Sequence, residues 1–418
     1  MKKFILFLTF LVLVLVPVTN VIAAVGEKGV IELDFWSWRT EDIKAYQKFI
    51  SEFNKEYPNI HINFTAYRNT EYNTILATAL QGGMGPDIIQ LRAYGGMEPL
   101  ANAGFLLPLD DKIPELENFP EYVLEGATSR RDGKIYGVPF AVQHVLVLYN
   151  KRLFNELHLE TPKTWEEFLN TAEKIKNAGY IPFANGTKDA WTLETLFGGV
   201  APTFYGGDEF YEAVVSGEKT FESEEMKRAL EKILELRPYL PRNYTGVGYT
   251  DMQIMFAQEM AVMWVAGSYE IGTIKQMNPA VEIGAFIVPG ETEDTPAYSS
   301  IYVDGSYGIN ADCKYIEEAT KFIRFTASQK FGQMFTDELA QISAVPGVEP
   351  TDKALREVVN VANPTPFMML TAFRYGEPSG STLLQNELQA LMAGTQNIET
   401  TLRKIQQGIA TWYEPFKK

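Results

Sequence analysis

The chain has 418 residues, 46% of them hydrophobic, and carries 53 Asp and Glu against 37 Lys and Arg, a formal net charge of −16. That acidity argues against binding nucleic acid or an anionic membrane surface, because both require a basic face. The lone Cys313 cannot form an internal disulfide, and three scattered histidines make a poor metal framework, so neither a metal nor a cofactor is expected.

Lys2 and Lys3 precede an apolar run from Phe4 to Val16, broken only by Thr9, and Val21-Ile22-Ala23 or Ile22-Ala23-Ala24 offers a cleavage site. The run falls short of the about 20 residues a membrane span needs, and Pro17 and Asn20 follow it. Residues 1–23 therefore read as a cleavable signal peptide, which predicts a periplasmic or extracellular protein. No cysteine lies nearby, so no lipid anchor is expected. The exported chain would hold 35 basic against 53 acidic residues, net −18, in about 395 residues. That length exceeds one typical core and predicts two lobes.

In IELDFWSWRTED, Ile31 to Asp42, Ile31, Leu33 and Phe35 alternate with Glu32, Asp34 and Trp36, the period of a strand. Ile43, Tyr46, Phe49, Ile50, Phe53 and Tyr57 then follow a helical spacing that Pro58 ends. Thr40 suits the helix N-cap. Trp36 and Trp38 thus stand where a strand gives way to a helix, beside Arg39 and Glu41. In open α/β sheets ligands bind beyond such strand ends.

Ile60 to Phe64 alternates as a second strand, Tyr72 to Leu80 reads as a helix closed by Gly82-Gly83, and Asp87 to Leu91 as a buried strand. This β-α-β-α order implies a largely parallel sheet covered by helices. A long extended segment, Ile135 to Asn150, can leave one lobe and enter another. Helical stretches follow at 165–177, 223–237, 250–260 and 317–328, with extended segments at 283–289 and 300–309. The last hundred residues read as mostly helical, broken by Pro346, Pro350, Pro364 and Pro366.

Taken in order, FWSWRTEDIKAYQKFISEFNKEYPNI, GGMGPDIIQL, MEPLANAGFLLPLDD, IYGVPFAVQHVLVLYNKRLF, TPKTWEEFLNTAEKIKNAG, FAQEMAVMWVAGSYEIG and SYGINADCKYIEEATKFIRF resemble the family 1 extracellular solute-binding proteins. These are the sugar-capturing subunits of ABC importers, maltose-binding-protein-like, and the resemblance spans nearly the whole exported chain. It departs at Gln258-Glu259, where members often carry Gly-Lys, and at Tyr269, where they often carry Trp; both bear on the choice of sugar. The resemblance implies a type II periplasmic-binding-protein fold: two α/β lobes, each a mainly parallel sheet flanked by helices, with a ligand cleft between them. The N-terminal lobe would comprise 25–140 plus 300–346 and the C-terminal lobe 143–297 plus 350–418, with crossovers near Ala141, Ser300 and Gly347. It further implies a monomer that captures an α-linked di- or oligosaccharide and passes it to membrane permease subunits.

A sugar presents weakly apolar ring faces and hydroxyl edges, so a site needs aromatic plates and polar side chains together. Trp36, Trp38, Arg39 and Glu41 meet this need at the first strand end, and Arg92 and Tyr94 after the Ile88–Leu91 strand. Asp189 and Trp191 lie in a polar loop before a helix, and Tyr269 and Glu270 follow Gly267-Ser268. Tyr302, Asp304 and Tyr307 lie on the returning strand, Arg374 and Tyr375 in FRYGEPSG, and Gln143 and His144 at the first crossover. Trp165, Trp264, Trp412 and Cys313 read instead as packing residues. Two other readings stay open: an exported glycoside hydrolase built on two carboxylates, and the same scaffold holding a non-sugar solute. No nucleophile elbow or HExxH helix appears in the sequence.

Overall fold

Two long strands organise the molecule. The computed structural model describes residues 29–361 and 363–417, so the expected signal peptide, residues 1–23, lies outside the described residues. The strands are β1 (Ile31–Ser37), β2 (Ile60–Ala66), β3 (Ile88–Arg92), β4 (Val138–Asn150), β5 (Ile181–Phe183), β6 (Ala261–Gly267), β7 (Ile283–Phe286), β8 (Ser299–Ile309), β9 (Ile342–Ser343) and β10 (Pro364–Pro366). They form one path, β2-β1-β3-β8-β4-β6-β5, with β7 and β9 also on β4 and β10 on β8.

β4 and β8 run antiparallel, with Val138 to Val145 against Tyr307 to Ser300. Toward one end β8 pairs with β3, and β3-β1-β2 are mutually parallel. Toward the other end Val145 to Asn150 of β4 turn to β6 and β7, with β5 parallel beside β6. The two strands therefore carry the chain between two α/β lobes. Each lobe keeps a parallel portion, but β4 and β8 run against it, so the sheet is mixed rather than parallel throughout.

Burial follows the sequence pattern. In β1, Leu33 and Phe35 are buried while Glu32 and Asp34 are exposed. β4 is buried from Val138 to Leu148, as a strand covered on both faces must be. The first lobe's core is aromatic: Phe35 meets Tyr46, Phe64, Tyr307 and Phe322 edge-on, with centroids 5.1–5.8 Å apart. In the second lobe Trp165 and Trp264 are buried, and Thr164 caps the helix Trp165–Asn177 by accepting from Glu167 N–H. Cys313 is buried too. Trp412 donates to Pro378 O at 2.8 Å, so these four residues pack as expected.

Where β4 leaves the first lobe its pairing with β8 is irregular on both sides of Ala141. There β9 joins it, Ala141 opposite Ser343 and Val142 opposite Ile342. A buried polar chain runs through this crossing. Ser268 Oγ donates to Gln143 Oε1 at 2.6 Å, Gln143 Nε2 donates to Gln341 Oε1 at 2.9 Å, and His144 N donates to Ser268 Oγ at 3.2 Å. His144 Nδ1 lies 3.1 Å from Ser299 Oγ, and burial pushes its pKa down to about 4, which keeps the ring neutral. Gln143 and His144, expected at the ligand, are thus held in the crossing by their own hydrogen bonds.

Candidate ligand cleft

The cleft begins at the carboxyl end of β1. Ser37 Oγ donates to Gln90 and accepts from Arg39 N at 3.0 Å, which turns the chain out of the strand. Residues Thr40–Asp42 then form a 3-10 turn before the helix Ile43–Asn54, and neither start has a side-chain cap. The expected Thr40 cap is absent because the turn intervenes and Arg39 takes the Asp42 carboxylate. Arg39 Nη2 also lies 3.4 Å from Glu41 Oε1. Arg39 is 7% exposed and Asp42 2%. Burial opposes the guanidinium's charge, but Asp42 and Glu41 outweigh it and hold Arg39 above its ordinary range. Burial pushes Asp42 upward against the pull of Arg39.

Glu270 faces this group from the second lobe, at the start of the helix Glu270–Met277. It is 1% exposed, and Gln253 Nε2 donates to its Oε2 at 3.1 Å. Burial drives its pKa up to about 7, although Gln253, Tyr249 and the charge of Arg39 work the other way; Glu41 adds to the rise. Tyr249 feels Glu270 and Tyr269 from its own lobe and Glu41 and Arg39 from the other. Its backbone N–H donates to Asp189 Oδ2 at 2.7 Å, and its ring stands edge-on to Trp191, 4.7 Å between centroids. Asp304, on β8, is half-buried. Burial raises its pKa, while Arg39, Arg92, Gln143 and Arg374 counter the rise. Tyr302 senses Tyr269 and Asp304 as well.

The structure therefore brings Arg39, Glu41, Arg92, Tyr269, Glu270, Tyr302, Asp304 and Arg374 together, with Asp189 and Trp191 joined to them through Tyr249. It divides the two leading tryptophans. Trp36 is half-buried beside Tyr67, centroids 4.9 Å apart. Trp38 is 4% exposed against Tyr72 and Phe140, and the Arg92 guanidinium lies 4.0 Å over its ring. The expectation that Trp38 is an open plate is corrected, because its surface is already covered. Arg92 donates from Nε to Asn73 Oδ1 at 3.2 Å, and burial together with Arg374 presses its pKa down to about 10.

Three more expectations change. Tyr94 is buried in a positive-φ turn (φ 54), and its hydroxyl accepts from Val303 N at 3.0 Å, so it braces β8. Tyr307 is fully buried, its hydroxyl 2.5 Å from that of Tyr46, because its register on β8 turns it into the first lobe's core. Tyr375 lies under Arg130, 3.6 Å from guanidinium to ring, and Arg130 Nη2 donates to Thr371 O at 2.7 Å. Nearby, a Cβ on Gly95 would lie 2.3 Å from Arg374 O, so only glycine lets these two backbones approach. Asp42, Tyr67, Glu194, Tyr249 and Gln253 escaped the sequence reading. Asp42 alone carried a signal, three residues after Arg39 at a helix start.

Two lobes linked by β4 and β8, with charged and aromatic side chains facing each other between them, define a type II solute-binding fold. The chain belongs to the bacterial extracellular solute-binding protein family, whose pattern it matches over residues 36–332. It is 27% identical over 356 residues to the multiple sugar-binding protein of Streptococcus mutans, covering 81% of each chain. It is 25% identical to the maltotriose-binding protein of Pyrococcus abyssi, over 62% of this chain and 53% of that one. Its fold is similar to that of RafE in complex with raffinose, at a TM-score of 0.76 and 23% identity, covering 93% of this chain and 100% of the other. Among the described residues, no helix is long and apolar enough to cross a membrane.

Glu270 yields a pH prediction. Its folded pKa of about 7 lies above the ordinary 4.5. Its contribution to stability is thus fully present below about pH 4.5 and is lost as pH rises through about 7. Glu270→Gln keeps the group neutral at every pH. Denaturant unfolding of the ligand-free protein should show the variant close to the parent at pH 4 and more stable by up to about 3 kcal/mol at pH 8. Parallel stability curves across this range would contradict the assignment.

Proposed function

We propose that this chain is the exported sugar-capturing subunit of an ABC importer, holding an α-linked di- or oligosaccharide in the cleft and delivering it to membrane permease subunits. The observation that carries the reading is the meeting of the buried polar groups Arg39 and Glu270 and the half-buried Asp304 with the half-buried indoles Trp36 and Trp191. An aromatic ring can cover a sugar face while carboxylates and guanidiniums satisfy its hydroxyls. Relatives named for multiple sugars and for maltotriose support the same substrate class. On this reading the lobes divide at the crossing near Ala141, Ser300 and Gly347, the protein acts as a monomer in the periplasm or outside the cell, residues 1–23 direct its export, and it binds without catalysis. The members it resembles are binding proteins, which speaks against a hydrolase.

The test is a panel of neutral oligosaccharides. A sugar at 100 times its dissociation constant should stabilise the protein by about 2.7 kcal/mol. The same sugar should be recovered chemically unchanged after long incubation. Cleavage beyond stoichiometric amounts would replace this reading with a hydrolase. Thermal shifts with no sugar, but with an anion or a peptide, would replace it with a non-sugar carrier.

A further inference from the structure

The 3-10 turn Tyr94–Gly96 presses on the segment from Thr371 to Tyr375. Gly95 is buried there, and a Cβ on it would lie 2.3 Å from Arg374 O, 2.4 Å from Arg374 C and 2.8 Å from Tyr375 N. Its nearest neighbours all belong to the backbone of that one segment. Gly95 itself is not in the left-handed region, so the approach requires glycine and the turn does not. Arg130 reaches the same segment from a second direction. Its guanidinium lies 3.6 Å from the Tyr375 ring centroid, and its Nη2 donates to Thr371 O at 2.7 Å.

Each side is braced. Glu98, two residues after the turn, accepts from Arg130 N and, at 3.0 Å, from Ser129 Oγ, which ties Arg130 to the turn. Opposite, Thr371 Oγ1 lies 3.1 Å from the Tyr211 hydroxyl, Phe373 O accepts from Gly380 N at 2.6 Å, and the Phe373 ring stacks on Phe416. Between the two sides little is fixed. Among the described residues, no backbone hydrogen bond links 92–97 to 371–376. Arg130 is exposed and Tyr375 half-buried, so water takes up both groups when they part and the contact is cheap to break. The segment also carries Arg374, whose charge acts on Arg92, Asp304 and Tyr302.

We propose that the Tyr94–Gly96 turn and Arg130 form a latch that engages the Thr371–Tyr375 segment only when the lobes close. Engagement brings Arg374 up to Arg92 and Asp304, and release withdraws it, so the latch sets the balance between open and closed forms. The inference rests on the proposed division of the chain, which puts the turn and Arg130 in the first lobe and residues 371–375 in the second.

Wild type, Gly95→Ala and Arg130→Ala, each as the exported chain, are melted without ligand and titrated calorimetrically with maltotriose, raffinose, sucrose and xylobiose. Small-angle scattering is then recorded with and without the sugar that wild type binds most tightly. Gly95→Ala should bind that sugar about tenfold more weakly or worse, because the added Cβ penalises only the latched form and apparent affinity falls with the population of the binding form. Arg130→Ala should bind it about three- to tenfold more weakly, having lost one hydrogen bond and one cation–π contact. Both variants should melt close to wild type without ligand, where the lobes stand open, and sugar-saturated Gly95→Ala should keep a larger radius of gyration than wild type. Wild-type affinity and contraction in both variants would overturn the latch and leave the sugar reading standing. Much earlier melting of ligand-free Gly95→Ala would also overturn it, since the contact would then be permanent packing. If wild type binds no sugar of the panel, or binds without contracting, the closing sugar cleft fails first and the latch falls with it.

Discussion

Replacing Arg39 with leucine is expected to cost about 3–5 kcal/mol of folding stability, because it strands a buried carboxylate. Asp42 is 2% exposed, and its charge partner is Arg39, which bonds it through Nε and, at 3.3 Å, through Nη2. With the guanidinium gone, Asp42 must take up a proton or draw water into the fold. A surface pair would be worth about 1 kcal/mol or less, so the size of the loss distinguishes the two situations. Arg39→Leu combined with Asp42→Asn should recover most of the loss, since the second change removes the stranded charge. Denaturant unfolding of the single and double variants measures both values. A single variant that loses less than about 1 kcal/mol would show that the pair is effectively solvated.

The two tryptophans should separate cleanly. Trp38→Ala is expected to lower stability by about 3–5 kcal/mol, as for other buried aromatic truncations. The indole fills the space beside Tyr72 and Phe140 and lies under Arg92, and its edge would be 2.8 Å from a Cβ on Gly305, where a glycine makes room for it. Trp36 is half-buried at the strand end, so Trp36→Ala should melt close to the parent. It should bind sugar roughly ten- to a hundredfold more weakly, because one aromatic plate contributes about 1.5–3 kcal/mol and each 1.4 kcal/mol is a factor of ten. Melting and sugar titration of both variants check this. A Trp36→Ala protein that melts much earlier yet binds normally once folded would place Trp36 in the core with Trp38.

That contrast shows what the sequence could and could not reveal. Alternation in Ile31–Phe35 and the helical spacing after Ile43 are local properties, and the structure has β1 and the helix Ile43–Asn54 there. Strand periodicity would aim Trp36 and Trp38 the same way only if the strand ran through both. It ends at Ser37, whose hydroxyl turns the chain toward Gln90, so Trp38 is re-aimed into the core. Tyr307 lay on a correctly located strand, but alternation does not say which face meets solvent and which meets Phe35 and Tyr46. Gln143 and His144 were read from their place at the crossover, and there the deciding partners were Gln341, Ser268 and Ser299, 124 to 198 residues away. Tyr249, Gln253 and Glu194 gave no signal for the same reason: only tertiary packing sets them beside Glu270, Arg39 and Arg374. The charged residues Arg39, Arg92, Glu270 and Asp304, which we propose line the cleft, were singled out because each follows a strand or lies on one, where α/β folds present their ligand groups.

On the proposed reading a sugar is held between the two lobes. Arg39 and Glu41 lie near enough to Glu270 and Tyr249 to bias their protonation, and on the proposed reading the lobes rotate about the crossing of β4, β8 and β9. Small-angle scattering from the exported chain, with and without a saturating sugar identified by the panel, tests this most directly. A smaller radius of gyration with sugar bound is the predicted result. An unchanged radius at full saturation would contradict capture by closure of the lobes around the ligand.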